Sequence, residues 1–228
     1  MPASIDVVFI PALLCDAQLY NDVITSMGDK ISAHVLMSPK PTLTESCADI
    51  LSRAPEKFVL VGTSYGGNLA LEIALAAPHR VMGLWLMGCD PGAPQQGGPD
   101  LAGGLETTPD VVINMLAGLV VRPVDIDAAT KFKQMANRIG GAAGAAQARA
   151  LNTRSDRTPR LGELTLPTLV IWGADDPLVS VATGETMTNH IPDAAWHVLV
   201  ECGHLPTLEQ PQQTAALFSK LIEKVTSA

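Results

Sequence analysis

Along this chain, short continuous apolar runs alternate with segments whose apolar positions recur at helical spacing. Six β-rich runs stand out: Ile5–Pro11, Ser32–Ser38, Phe58–Gly62, Val81–Gly88, Thr168–Gly173 and Trp196–Glu201. The third and fifth, FVLVG and TLVIWG, show no polar alternation. Strands buried on both faces of a parallel sheet read this way. Helical patterns separate the runs, over Asp16–Met27, Thr42–Ala54, Asn68–Ala77 and Leu208 to about Val225. Thr42 and Glu45 have capping-box spacing, Pro78 closes the third helix, and Pro211 fits the first turn of the last. Strand and helix in alternation predict a doubly wound α/β fold.

The rhythm breaks once, between Gly88 and Pro167. The break opens with PGAPQQGGPDLAGG at 91–104, in which eight of fourteen residues are Gly or Pro, so a loop is expected there. Helical patterns follow at Pro109–Val121, Asp125–Ile139 and Ala142–Asn152, with Gly140, Gly141 and Gly144 loosening the last junction. Helices inserted between two strands read as a cap over a pocket, the alternative being a plain crossover with extra packing. The expected organisation is a core of residues 1–90 and 160–228 with an inserted helical cap at 91–159.

Composition narrows the function classes. The 228 residues are 47% apolar and 17% charged, enough for a sizeable core and too apolar for a disordered chain. The net charge of −8 argues against nucleic acid or an anionic membrane as partner and gives a mild preference for neutral substrates. No apolar run has the length of a membrane span, and no Lys or Arg precedes the first apolar stretch, so no secretory leader is expected. Cys15, Cys47, Cys89 and Cys202 form no C-x-x-C pair and are expected as reduced thiols of a cytoplasmic protein. No phosphate loop, metal-ligand cluster or dinucleotide fingerprint occurs, so no cofactor and no metal is expected.

The stretch Phe58-Val-Leu-Val-Gly62-Thr-Ser64-Tyr-Gly66-Gly67 carries the chemistry. A G-x-S-x-G between a buried strand and a small-residue helix is a nucleophile elbow. Ser64 must sit on a sharp strained turn, and only glycine-sized neighbours let strand and helix pass so closely. The helix that follows aims its N–H groups at a developing oxyanion. A serine needs a base, and His204 lies in a Gly- and Pro-punctuated loop after the last strand, at the mouth where open parallel sheets place their sites. His34 and His197 fall inside strands, His190 ends a helix, and His79 is a turn residue. For the acid, Asp175 and Asp176 follow the fifth strand; Asp176, before Pro177, is favoured, with Asp175 and Asp90 as alternatives. The order Ser64, Asp176, His204 is that of α/β-hydrolases.

The elbow GTSYGG, the run WGADDP and the loop GCGH resemble the α/β-hydrolase superfamily, most of all its small bacterial capped esterases, methyl esterases and enol-lactonases. The opening FIPALLCDAQLY is similar to a stretch found in one such subgroup. The likeness covers about 5–90 and 160–225 and fades across the insertion. It implies the α/β-hydrolase fold, a mainly parallel sheet of about six strands flanked by helices, with a helical cap after the strand ending near Gly88. It also implies an oxyanion hole from the backbone N–H groups of Leu13 and Tyr65. Three departures stand out: Pro11-Ala12 lacks the usual glycine-containing pair, the segment 38–42 lacks D-x-x-G-x-G, and the leading antiparallel strands are missing or shortened.

Met115, Leu119, Phe132 and Met135 on the inserted helices, with Leu116 beside them, are the candidate acyl-binding wall, although at helical spacing such residues are mostly core. Arg149, Arg154, Arg157 and Arg160 read as solvated surface or, more sharply, as a contact for a carboxylate or a carrier phosphate. Cys15 and Cys202 read as small apolar pocket residues. Together these features predict a cofactor-free serine hydrolase that acts on a small-molecule ester, thioester or lactone through an acyl-enzyme. Acyl transfer, perhydrolysis or carbon–carbon bond hydrolysis on the same triad is the alternative, and a non-catalytic binding protein the third.

Overall fold

The computed structural model describes residues 4–38, 40–95 and 97–227; Pro39 and Gln96, within the 38–42 and 91–104 segments, lie outside these. Six parallel strands form one sheet in the order β2-β1-β3-β4-β5-β6. They are β1 (Ile5–Ile10), β2 (Ile31–Val35), β3 (Phe58–Thr63), β4 (Val81–Met87), β5 (Thr168–Gly173) and β6 (Ala194–Leu199). Successive side chains of the central strands enter opposite cores. Val7, Phe9, Val59, Val61, Trp85 and Met87 face one side, and Val8, Ile10, Leu60, Leu84 and Leu86 face the other. Two buried faces with a period of two explain the unbroken apolar runs.

Helices α1 (Asn21–Met27) and α9 (Pro211–Thr226) cover the first face, where Phe218 stacks on Trp85 at 4.7 Å and meets Phe9 edge-on at 6.0 Å. Helices α2 (Leu43–Arg53), α3 (Tyr65–Ala76) and α7 (Val181–His190) cover the second. The Asp16–Met27 pattern resolves into a 3-10 turn at Ala17–Leu19, capped by the Asp16 side chain, followed by α1. At the start of α2, Thr42 Oγ1 accepts the Glu45 N–H at 3.2 Å and donates to the Glu45 carboxylate at 2.7 Å. The last helical pattern splits at Gln210 into α8 (Pro206–Glu209) and α9, with Pro211 in the first turn of α9.

Between β4 and β5 run α4 (Leu101–Thr107), α5 (Pro109–Ala117) and α6 (Ile126–Asn152). Helix α4 starts inside the Gly- and Pro-rich stretch expected as loop. The Asp100 side chain caps it by accepting the Gly103 N–H at 2.9 Å, and Ala102 and Leu105 bury its inner face. The two helices expected around Gly140 form one element broken at that residue, whose φ of +77° favours glycine. Most of the buried apolar residues of the insertion, among them Leu105, Phe132, Met135 and Ala145, join the same core as the first face of the sheet. No helix among the described residues is long and apolar enough to cross a membrane.

Candidate active site

The C-terminal ends of five parallel strands converge, and each delivers one part of the site. After β3 the chain reverses into α3 through Ser64, at φ +55° and ψ −118°, a strained conformation for a residue with a Cβ. The Ser64 N–H donates to the Met87 carbonyl at 2.8 Å, tying the turn to the end of β4. Glycine is required on both sides. A Cβ at Gly62 would stand 2.3 Å from the Gly66 carbonyl oxygen, and one at Gly66 2.0 Å from that of Ile10. Beneath the turn, the buried Tyr20 hydroxyl donates to the Ile10 carbonyl at 2.9 Å and meets Thr63 Oγ1 at 2.8 Å, joining β1 to the residue before the serine.

Beyond β5 and β6, Asp176 Oδ2 lies 2.7 Å from His204 Nδ1, and both side chains are all but excluded from solvent. The other carboxylate oxygen, Oδ1, accepts the N–H groups of Leu178 (2.8 Å) and Val179 (3.1 Å), which fixes the carboxylate. A carboxylate acceptor holds the imidazole proton on Nδ1 and leaves the lone pair on Nε2. The alternative acids are engaged elsewhere. Asp175 is half-exposed with Arg122 Nε at 3.3 Å, and Asp90 accepts the Gly92 N–H at 2.9 Å. Ser64 and His204 line one cavity of about 190 Å³, together with Ala12 and Leu13.

Of the two residues that the resemblance implies as oxyanion donors, Leu13 lines this cavity, and Tyr65 opens α3 directly after Ser64. Position 12 holds alanine, and the left-handed residue of this turn is Leu14. Leu14 adopts φ +61°, and the turn is closed by the Cys15 N–H on the Ala12 carbonyl at 3.0 Å. The buried Gln147 of α6 accepts the Leu14 N–H at 3.0 Å. A Cβ at Gly144, one turn earlier, would lie 2.4 Å from Leu14 Cδ2. Helix α6 therefore grips the strained residue by both backbone and side chain.

The acyl-wall candidates separate. Phe132 lines the cavity, whereas Met115 and Leu119 lie at the surface and Met135 is buried in the core away from it. Leu116, also among the candidates, lines it, and Val120 does so in place of Leu119. Sequence reasoning also missed Gln147 and Glu209. Glu209 takes the Gly203 N–H at 3.0 Å, next to His204, and the Arg122 N–H at 3.0 Å, so it ties the histidine loop to the α5–α6 connection. Burial and the neighbouring Asp125 push its carboxyl above the ordinary value, while these backbone donors pull it down. Glu209 five residues after His204 was the available signal.

Cys15 and Cys202 are buried free thiols, and burial pushes both well above the usual thiol range. Such thiols stay protonated and behave as small apolar groups. The arginines read as a basic cluster are all engaged: Arg149 with Glu106, Arg157 through a fork on Glu72, Arg160 with Glu163, and Arg154 on the Gly92 carbonyl. No three His, Cys, Asp or Glu side chains among the described residues are grouped to hold a metal ion.

A strained serine on a strand–helix turn and a buried Asp–His pair at neighbouring strand ends are the marks of an α/β-hydrolase scaffold. The profile described as the alpha/beta hydrolase family matches residues 22–217, and the chain belongs to that family. It is similar to the 2-hydroxy-6-oxononadienedioate/2-hydroxy-6-oxononatrienedioate hydrolase 1 of Dechloromonas aromatica, at 33% identity over 162 residues, 65% of this chain and 56% of the relative. Against that relative and its namesakes from Cupriavidus pinatubonensis and Paraburkholderia xenovorans, the chain spans 56% to 61% of their length. It is also similar to the pimeloyl-[acyl-carrier protein] methyl ester esterase of Aromatoleum aromaticum, at 27% identity over 80% of each chain. The crystal structure of the enol-lactonase from Burkholderia xenovorans LB400 superposes with a TM-score of 0.87 at 14% identity, covering 96% of this chain and 92% of that one, a likeness of fold.

Proposed function

We propose that this chain is a serine hydrolase that cleaves small or medium carboxylic esters, thioesters or lactones without a cofactor. The observation that carries the reading is the buried 2.7 Å Asp176–His204 contact beside a cavity that also holds the strained Ser64. In this reading His204 Nε2 takes the Ser64 proton as Oγ attacks the carbonyl carbon. Asp176 keeps the imidazole tautomer and offsets the charge it gains. The Leu13 and Tyr65 N–H groups take the oxyanion, and the inserted helices act as the cap. The alcohol leaves with the proton from His204; water, deprotonated by the same histidine, then releases the acid from Ser64.

The names of the 2-hydroxy-6-oxononadienedioate hydrolases favour a second reading, in which the same residues cleave a carbon–carbon bond. Product analysis on a short-chain ester and on 2-hydroxy-6-oxononadienedioate separates the two. The mechanism itself is tested at Ser64. Ser64→Ala should keep the thermal midpoint of the wild type, lose fluorophosphonate labelling and lose short-chain ester turnover by at least about a thousandfold. Wild-type turnover in that variant rejects the mechanism.

A further inference from the structure

Around Ser64 and His204 the cavity wall is aliphatic and aromatic: Leu101, Leu116, Val120, Phe132, Leu151 and Leu178. Among the described residues no Lys, Arg, Asn or Gln lines it, and its polar side chains are the serine and the histidine themselves. The arm of an ester that stays bonded to the nucleophile while the alcohol departs and water arrives is the acyl arm, so that is the part a dry wall must hold. A carboxylate at its far end would lose its hydration there and gain no partner. The chain's net charge of −8 adds no attraction for an anion.

Building on the serine-hydrolase reading above, we propose that the site accepts an uncharged aliphatic acyl group of short to medium length and rejects acyl groups that carry a second carboxylate. The cavity, at about 190 Å³, limits the length of acyl chain that it can enclose. Leu116, Val120 and Phe132, all from the inserted helices, are then residues that set specificity.

The test compares three p-nitrophenyl esters that share a six-carbon acyl backbone: the hexanoate, the adipate half-ester with a free carboxylate, and the methyl-capped adipate diester. Alongside them, Ser64 is labelled with an uncharged alkyl fluorophosphonate. We expect kcat/KM for the half-ester to fall at least about 100-fold below the hexanoate, and the methyl cap to recover most of that loss. A half-ester within threefold of the hexanoate overturns the proposal. So does a diester as slow as the half-ester, because length or polarity would then be the cause. Labelling of Ser64 without turnover of any of the three esters overturns the proposal alone; an enzyme whose Ser64 takes no label overturns the serine-hydrolase reading beneath it.

Discussion

The strand ends and the inserted helices meet at one cavity but are built on different principles. At the strand ends, position is set by backbone. Gly62 and Gly66 allow contacts that no side chain could share, the Met87 carbonyl holds Ser64, and Asp176 is fixed by two amide donors before it reaches His204. In the insertion, position is set by packing. Leu105, Phe132, Met135 and Ala145 continue the core of the sheet, and the kink at Gly140 turns the second half of α6 onto the Leu14 turn. A backbone-defined region tolerates almost no change but holds reacting groups in register. A packing-defined region can exchange side chains and so alter which substrate fits.

In the proposed mechanism, the largest effect should come from breaking the backbone-defined part at its acid. Asp176→Asn keeps the shape, but its amide can offer the imidazole an N–H and favour the wrong tautomer. A fall in kcat of roughly 10,000-fold is expected, with little change in unfolding free energy. Asp175→Asn, at a half-exposed site paired with Arg122, should leave kcat within about threefold. Steady-state kinetics on one short-chain ester decides between them, and equal losses would remove the distinction drawn between the neighbouring acids.

The contrast between the two regions also explains what could be read from sequence. β5 runs over the very residues its apolar run predicted, and Ser64, Asp176 and His204 lie at the strand mouths where local motifs put them. Burial on both faces and the glycine spacing of a tight turn are local rules, so they are legible in short stretches. Helix phase in the insertion is not local. Leu116 and Val120 face inward, and Met115 and Leu119 outward, because the neighbouring helices decide which side of α5 is covered. Helix α4 was hidden in a Gly- and Pro-rich stretch because its stability comes from the Asp100 cap and tertiary burial, which outweigh propensity. Gln147 was invisible for the same reason: its partner, Leu14, is 133 residues away.

Gln147 is where the two regions touch, and its removal should have an intermediate effect. Leu14 holds a left-handed conformation without being glycine, and Gln147 Oε1 is the side-chain acceptor for its N–H. Gln147→Met keeps volume and removes the acceptor. In the proposed mechanism, the turn is then free to relax and move the Leu13 N–H off the oxyanion. We expect kcat to drop about 10- to 100-fold with KM nearly unchanged, since the loss falls on the transition state. Gln147→Glu, which still presents an oxygen to Leu14, should recover most of the rate. Equal rises in KM for both variants would make Gln147 a packing residue and not a positioning one.

The smallest effect should come from the ion pairs that fasten the insertion to the core across the surface. Lys131 on α6 reaches Asp22 on α1 at 3.1 Å, and both side chains are more than a third exposed. Water and salt screen such a pair, and ordering two long side chains offsets much of what attraction remains. Lys131→Met should therefore cost about 1 kcal/mol or less in urea unfolding, and 1 M salt should erase the difference from the wild type. Because most of the buried apolar residues of the insertion belong to the same core as the sheet, the variant should still unfold in a single transition followed alike by far-ultraviolet dichroism and tryptophan fluorescence. A second, earlier transition in the variant would mean that this surface pair, and not the shared core, keeps the inserted helices on the sheet.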